Sequence, residues 1–543
     1  MPFFSCRHRE IDLSHGWRLA VSCMLAAAVV GCGSPAASPP AGAAPAPAAP
    51  TVATPPASPT AAPRGPASTA PAPANAKTAA KAPPAAKPNP PEEFVDEPPA
   101  DKPKRERPKR TGQSLSELLP KGMQDLEDAA QRRREPPNEK RLAEAGIRRI
   151  PGKRLDLYTD LPANPAIDEL PRIFELAIPQ WCEFFGVPEE KVGTWKLTGY
   201  LMRASDTFRA VDAIPAWMPT IQNGYAYGDE LWVMDQSTDY YRRHLLLHEG
   251  THAFMSHFLG GIGPPWYGEG VAELLGTHRW QDNQLTLRYL PQAPEEVPGH
   301  GRIKIVRDDF AAGRARSLEA VFQYDAKAHL DVQPYGWCWA AASFLDAHPA
   351  THESFRAVKE HARDGGLDFT RHFLEPVAED WNRISEDWQL FISQAEYGYD
   401  VVRASVRHKA SEPLQGDEVR VKIAVDRGWQ STGVQLKEGV AYEIAAVGKY
   451  QIVAGEPTWW SEPGGVTIKY YRGQPLGLLL GAVRPDLFVP TTLTPLAHST
   501  PIGRKAIVTP DDSGTLYLKI NEATRDLHDN TGEILVRIRP VTP

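Results

Sequence analysis

The sequence predicts two folded units of different class: an α+β domain over 149–405 and an all-β sandwich over 412–543, both behind a disordered Pro/Ala-rich tether at 32–113. Three observations predict this. The 543 residues exceed what one ordinary domain holds. Between 33 and 110 the composition collapses to Pro and Ala, with 22 of the 53 prolines and almost no large apolar side chain, so nothing there offsets the entropy of ordering. After Ser411 the apolar period changes from that of helices to two. A net charge of −7 supplies no basic field for nucleic acid. Cysteines at 6, 23, 32, 182 and 338 are too scattered for a Cys-rich metal module, so any metal falls to His and carboxylates.

The first element, residues 1–31, is an address. Arg7, Arg9 and Arg18 precede an apolar run from Leu19 to Val30, too short to span a bilayer but of signal-peptide length. Its end, Val29-Val30-Gly31-Cys32, resembles a bacterial lipobox, which implies cleavage before Cys32 and lipidation of that residue. Gly33 in place of Asp implies, by the same resemblance, an outer-membrane or cell-surface location over the inner membrane. A Pro-rich tether extends by about 3.1 Å per residue where polyproline II forms, giving a reach on the order of 100 Å from the membrane. Its basic end, Lys102 to Arg110, reads as a solvated run.

Residues 114–148 form a partly helical lead-in. Arg154 to Asp160 reads as a strand, Asn164 to Phe185 as an apolar helix disturbed by Pro171 and Pro179, and Trp195 to Met202 as a second strand. Glu230 to Asp235 is another strand. Ser237-Thr238-Asp239 can cap the helix that follows, Tyr240 to Leu259, which Gly260-Gly261 closes.

Inside that helix lies His248-Glu249-Gly250-Thr251-His252. Residues i and i+4 share a helix face, so both imidazoles can point at one cation while Glu249, turned by about 100°, serves as a base. Roughly 0.03 such pentapeptides are expected by chance in a chain of this composition, which makes the motif specific. A second helix through Trp266-Tyr-Gly-Glu269-Gly-Val-Ala-Glu273 brings a carboxylate 17 residues after His252. Two His, one carboxylate and an open fourth position around zinc make a hydrolytic site.

These motifs resemble the gluzincin metallopeptidases of the aminopeptidase N and thermolysin type, and most closely the peptidase MA-like domains of bacterial proteins, over roughly 150–400. The resemblance implies Zn²⁺ held by His248, His252 and Glu269, with Glu249 catalytic and Glu273 orienting a ligand His. Because the spacing is two residues shorter than in aminopeptidase N, Glu273 stands as the rival third ligand. The metzincin pattern fails, since His257 follows His252 by five residues instead of six. No exopeptidase signature lies upstream, which favours an endopeptidase over an aminopeptidase. The stretch Gly224 to Asp235 resembles the family's substrate-pairing edge strand. Tyr335, at the start of an apolar helix, is the expected donor to the transition-state oxyanion, with Tyr241 and Arg243 as competitors. Cys182 and Cys338 either pair or remain single buried thiols.

Past a boundary at Ser411 to Asp417, apolar residues alternate at Val419-Val421-Ile423, Val440-Tyr442-Ile444, Val466-Ile468-Tyr470, Leu516-Leu518-Ile520 and Ile534-Val536-Ile538. Short strands and Gly-rich turns predict a β-sandwich. Gly428-Trp429, Gly448-Lys-Tyr450, Pro475 to Gly481 and the Asn521 to Gly532 loop resemble the calcium-dependent galactose-binding bacterial lectin family. That resemblance implies Ca²⁺ held by Glu522, Asp529 and Asn530, with Glu522 where the family has Asp. The expected whole is a membrane-anchored zinc peptidase of the cell envelope, with a peptide or protein substrate and a C-terminal glycan- or protein-targeting module. The alternative is an inactive zincin scaffold serving as a carbohydrate-binding or adhesion lipoprotein.

Overall fold

A computed structural model describes residues 137–325 and 331–541. The signal segment, Cys32, the tether and most of the lead-in lie outside them.

The first described unit is an α/β body. Helix α1 (Glu139–Glu144), capped by Asn138, leads into a five-stranded sheet of order β1-β2-β3-β5-β4, made of β1 (Arg148–Ile150), β2 (Leu155–Thr159), β3 (Leu197–Met202), β4 (Gly224–Tyr227) and β5 (Glu230–Met234). Strands β2, β3 and β5 are parallel, in register at Leu155–Leu197 and Thr198–Glu230, and β1 and β4 run antiparallel at the edges. The expected strand over 224–235 is therefore a hairpin, because the Gly228-Asp229 turn, with Gly228 at φ +57°, folds β4 back on β5. Similarly, the expected helix over 164–185 is a turn at Pro165–Asp168 followed by α2 (Leu170–Phe185). Pro171 occupies the first turn of α2, where its missing N–H costs nothing, and Pro179 is accommodated inside the helix.

With the hairpin of β6 (His278–Gln281) and β7 (Gln284–Leu287), helices α3 (Asp239–Phe258), α4 (Pro265–Gly276), α5 (Gly301–Ala311), α6 (Val332–Ala347), α7 (Gly366–Leu374) and α8 (Trp381–Ser393) complete the body. Their apolar faces meet α2 and one face of the sheet in a single core that includes Trp181, Phe254, Trp266, Trp337 and Trp388. The other sheet face buries Tyr158, Tyr200, Trp232 and Phe208 in a separate cluster. Cys182 and Cys338 are both buried in the main core and form no disulfide with each other, so the pairing alternative is not realised.

The second unit is β-rich and begins at β8 (Glu412–Pro413). One sheet joins β8 to β10 (Gln430–Leu436), β16 (Leu479–Arg484), β17 (Thr500–Pro501) and β19 (Gly514–Ile520), in the order β17-β16-β19-β10-β8. The other has the order β18-β11-β20-β9, from β9 (Val419–Ala424), β11 (Tyr442–Val447), β18 (Lys505–Val508) and β20 (Glu533–Pro540). Ile423, Val434, Ile444, Leu516, Leu518 and Val536 fill the space between them. Two hairpins, β12 (Tyr450–Val453) with β13 (Trp459–Ser461) and β14 (Val466–Tyr471) with β15 (Gln474–Leu476), flank the sandwich.

A buried seam joins the two units. Leu390 of α8 and Val406 pack with Leu480, Ala482, Tyr517 and Trp429. Glu386 of α8 has a fully buried side chain; Arg484 Nε donates to its Oε2 at 2.8 Å and Thr494 Oγ1 to its Oε1 at 2.6 Å. Gln389 donates to Pro490 O and accepts from Thr494 N. No described helix is long and apolar enough to cross a membrane.

Candidate metal centre

Helix α3 begins where the sequence places it. Thr238 Oγ1 accepts from Tyr241 N at 3.2 Å, Asp239 sits in the positive first turn, and Gly260 at φ +77° follows the last turn. Gly250 lets α2 approach: a Cβ there would lie 2.7 Å from both Phe174 and Trp181. With that face pressed into the core, the opposite face turns His248 and His252 toward α4.

Three ligand atoms converge. His248 Nε2 and His252 Nε2 are 3.0 Å apart, and Glu269 Oε2 lies 3.2 Å from the first and 3.4 Å from the second. Tetrahedral zinc with bonds of 2.0–2.1 Å separates its ligand atoms by about 3.3 Å, so this donor triangle fits such an ion. Burial would push the Glu269 carboxyl up, but the charge of His252 and hydrogen bonds from both imidazoles outweigh it and hold the group well below its ordinary range. A permanently ionised carboxylate is what a cation requires.

Glu273 plays a different part from Glu269. Fully buried, its Oε1 lies 3.4 Å from Nδ1 of His248, the nitrogen facing away from the triangle, and its Oε2 lies 3.2 Å from His244 Nε2. Arg302 donates through Nε and Nη2 to its two oxygens at 2.7 and 2.8 Å. Burial would again raise this carboxyl, and Arg302 followed by His244 holds it well below. A carboxylate behind a ligand imidazole fixes the tautomer and orientation of the ring. His244, His248 and Glu273 also lie close enough to hold an ion, but Arg302 already occupies both Glu273 oxygens.

Glu249 is buried beside the triangle, and its Oε1 has no hydrogen-bond partner among the described residues. Burial pushes its carboxyl up to about 7, against the pull of His248 and His252. It packs on the edge strand: a Cβ built at Gly224 would lie 2.2 Å from Glu249 Oε1 and 2.7 Å from its Cδ. Tyr335 is buried with its ring centroid 6.3 Å from that of His248. Its two competitors are engaged elsewhere. Tyr241 donates to Pro298 O at 2.8 Å, and Arg243 Nε donates to His278 Nε2 at 3.2 Å. Sequence reading missed His244, although His244-x-x-x-His248 repeats the spacing of the motif, and it missed Arg302 and Gly224, which no local pattern marks.

In the sandwich, Glu522 and Asn530 come together and Asp529 turns aside. Asn530 Nδ2 donates to Glu522 Oε2 at 2.7 Å and to Val425 O at 3.0 Å, while its buried Oδ1 has no partner among the described residues. Asp529 Oδ2 accepts from Ala454 N at 2.8 Å. Burial pushes the Glu522 carboxyl up to about 8.

No protein-family model matches the sequence, and no curated protein matches it. Among solved structures, the N-terminal domain of EclA, a PllA-like lectin, is similar at 21% identity, covering 23% of this chain and 98% of that one, with a TM-score of 0.18. The IMPa metallopeptidase in complex with T-antigen is similar at 13% identity, covering 65% of this chain and 38% of that one, with a TM-score of 0.15. A second structure of IMPa, from Pseudomonas aeruginosa, gives 11% identity over the same shares and the same TM-score. This chain thus matches well under half the length of the metallopeptidase.

Proposed function

We propose that the chain is a zinc-dependent peptidase of the gluzincin type, an endopeptidase, whose C-terminal sandwich targets it to glycan. The observation that carries this reading is the His248, His252 and Glu269 triangle with Glu249 buried beside it at the sheet edge. Zinc bound there would supply a Lewis acid that acidifies water near neutral pH and polarises a carbonyl. Glu249 takes a proton at its unpartnered Oε1, a role suited to a carboxyl raised to about 7. Glu273, backed by Arg302, holds the His248 ring in register. Strand β4 has no strand on its outer side among the described residues, and an extended peptide can pair there. Tyr335, beside His248, is the chain's candidate donor to the oxyanion.

In the sandwich, the unpartnered Asn530 Oδ1 beside the Glu522 carboxyl supports a Ca²⁺ site, in which the ion's charge would have to keep Glu522 ionised against its burial and open positions would take sugar hydroxyls, with Asp529 requiring a turn away from Ala454 to join. Cys32 is proposed as the lipid anchor in the outer membrane or at the cell surface.

The test is digestion of a denatured-protein peptide mixture by wild type and Glu249→Gln, read by mass spectrometry beside metal counts. Wild type is expected to cut and to carry zinc, and Glu249→Gln to carry zinc but lose at least about 100-fold in turnover. Equal cutting by both proteins would refute the assignment.

A further inference from the structure

We infer that the α/β body carries a second metal site, formed by His361, Asp364 and His372, that takes a zinc-type divalent ion and clips shut the segment covering the α3–α4 turn. None of these residues belongs to the His248 centre, and the inference does not depend on the activity proposed above.

The three side chains come from separate pieces of chain: His361 from a short 3₁₀ turn (Val358–His361), Asp364 from the connection after it, and His372 from the last turn of α7. The imidazoles lie face to face, with centroids 3.6 Å apart and planes 13° from parallel. Both turn a nitrogen to the same carboxylate oxygen, His361 Nδ1 at 2.8 Å and His372 Nε2 at 3.8 Å from Asp364 Oδ2. All three donor atoms lie within 4.8 Å of one another. The roughly 3.3 Å separation of tetrahedral ligands falls between the two measured distances; because each lone pair lies in its ring plane, the stacked rings must splay apart for both nitrogens to meet one ion, a movement their partial exposure leaves room for.

Two imidazoles and a carboxylate form the donor set of Zn²⁺, Cu²⁺ and Ni²⁺, not of Ca²⁺ or Mg²⁺. The side chains are 32–40% exposed, which leaves an outer face for water and a path of entry.

The position says what the ion would do. Between His361 and Asp364 the chain lies on the turn joining α3 to α4: Gly263 N donates to Ala362 O at 3.0 Å, and a Cβ at Gly261 would lie 2.3 Å from that carbonyl oxygen. On α7, Phe369 packs on Tyr267 with centroids 4.8 Å apart, and Thr370 accepts from Trp266 Nε1 at 2.9 Å. Trp266 and Tyr267 stand three and two residues before Glu269. An ion tying His361 to His372 therefore closes a loop over the base of the helix that carries the third ligand of the first centre.

The experiment is equilibrium dialysis of the untagged full chain, stripped with chelator, against rising Zn²⁺. Wild type is expected to bind two ions per chain; His372→Ala, His361→Ala and His252→Ala are each expected to bind one, and His252→Ala/His372→Ala none. Asp364→Asn, which keeps the shape, is expected to weaken the second ion at least tenfold. Stoichiometry unchanged in both His361→Ala and His372→Ala overturns the site. If wild type binds a single ion that His372→Ala removes and His252→Ala leaves, the peptidase reading fails while this one stands.

Discussion

At the residue scale the His248, His252 and Glu269 triangle depends on neighbours that stand outside it. Gly224 is one of these. Any side chain there meets the Glu249 carboxyl, which must move, whereas His248, His252 and Glu269 keep their places. Gly224→Ala is therefore expected to retain zinc and lose about 100-fold in kcat, the usual cost of a 1 Å misplacement. Measured metal content with kcat decides it, and full activity would show that Glu249 tolerates the shift. His278 gives a second prediction. It is buried and stacked on Tyr240 with centroids 4.6 Å apart; its Nε2 accepts from Arg243 while Nδ1 faces Gly276 O at 2.8 Å. Burial pushes its imidazole down to about 3. The unfolded chain therefore takes up this proton first as pH falls. The stabilisation is complete above about 6.5 and is lost toward pH 3, by up to about 1.4 kcal/mol per unit. Urea midpoints between pH 7.5 and 5 should fall more steeply in wild type than in His278→Gln, and parallel slopes would refute the assignment.

At the scale of elements, the edge strand carries the testable chemistry. If a substrate strand pairs with β4, methylating the substrate amides that face it removes hydrogen bonds worth about 1 kcal/mol each, roughly fivefold in kcat/KM per amide. Unmethylated and methylated versions of one cleaved peptide measure this, and equal rates would place substrate elsewhere. The elements also show what the sequence could tell. Helix α3 and its donors were legible because a cap, a 3.6-residue period and a four-residue His spacing coincide in 22 residues of chain. The β4–β5 hairpin was not, since Gly228-Asp229 makes a two-residue turn inside an unbroken β-like stretch. Strand β16 hid for another reason: Leu479 faces the sandwich core while Leu480 and Ala482 face α8, so burial on both sides erases the alternation that marked β9 and β20. Arg302 was out of reach because it meets Glu273 across 29 positions of sequence.

At the scale of the whole molecule, the seam along α8 predicts how the protein unfolds. Removing residues 412–541 would expose Leu390 and Val406, and the released sandwich would expose Leu480, Ala482, Tyr517 and Trp429. Calorimetry of the full chain is expected to give one cooperative transition for the two described units, and two resolved transitions would refute their coupling. Arg484→Ala leaves the Glu386 carboxylate buried without its cation, at a cost of about 3–5 kcal/mol.

The same seam has a consequence for selectivity. Because α8 is keyed into β16 and β19, the span from the Glu522–Asn530 pair to the His248–His252 pair is fixed by packing and cannot be adjusted by a swinging joint. On the proposed function, a polymer gripped at the sandwich would offer the His248–His252 pair only those bonds lying one set stride away. The molecule would then work as a caliper, sorting substrates by the distance between two features as well as by what each feature is.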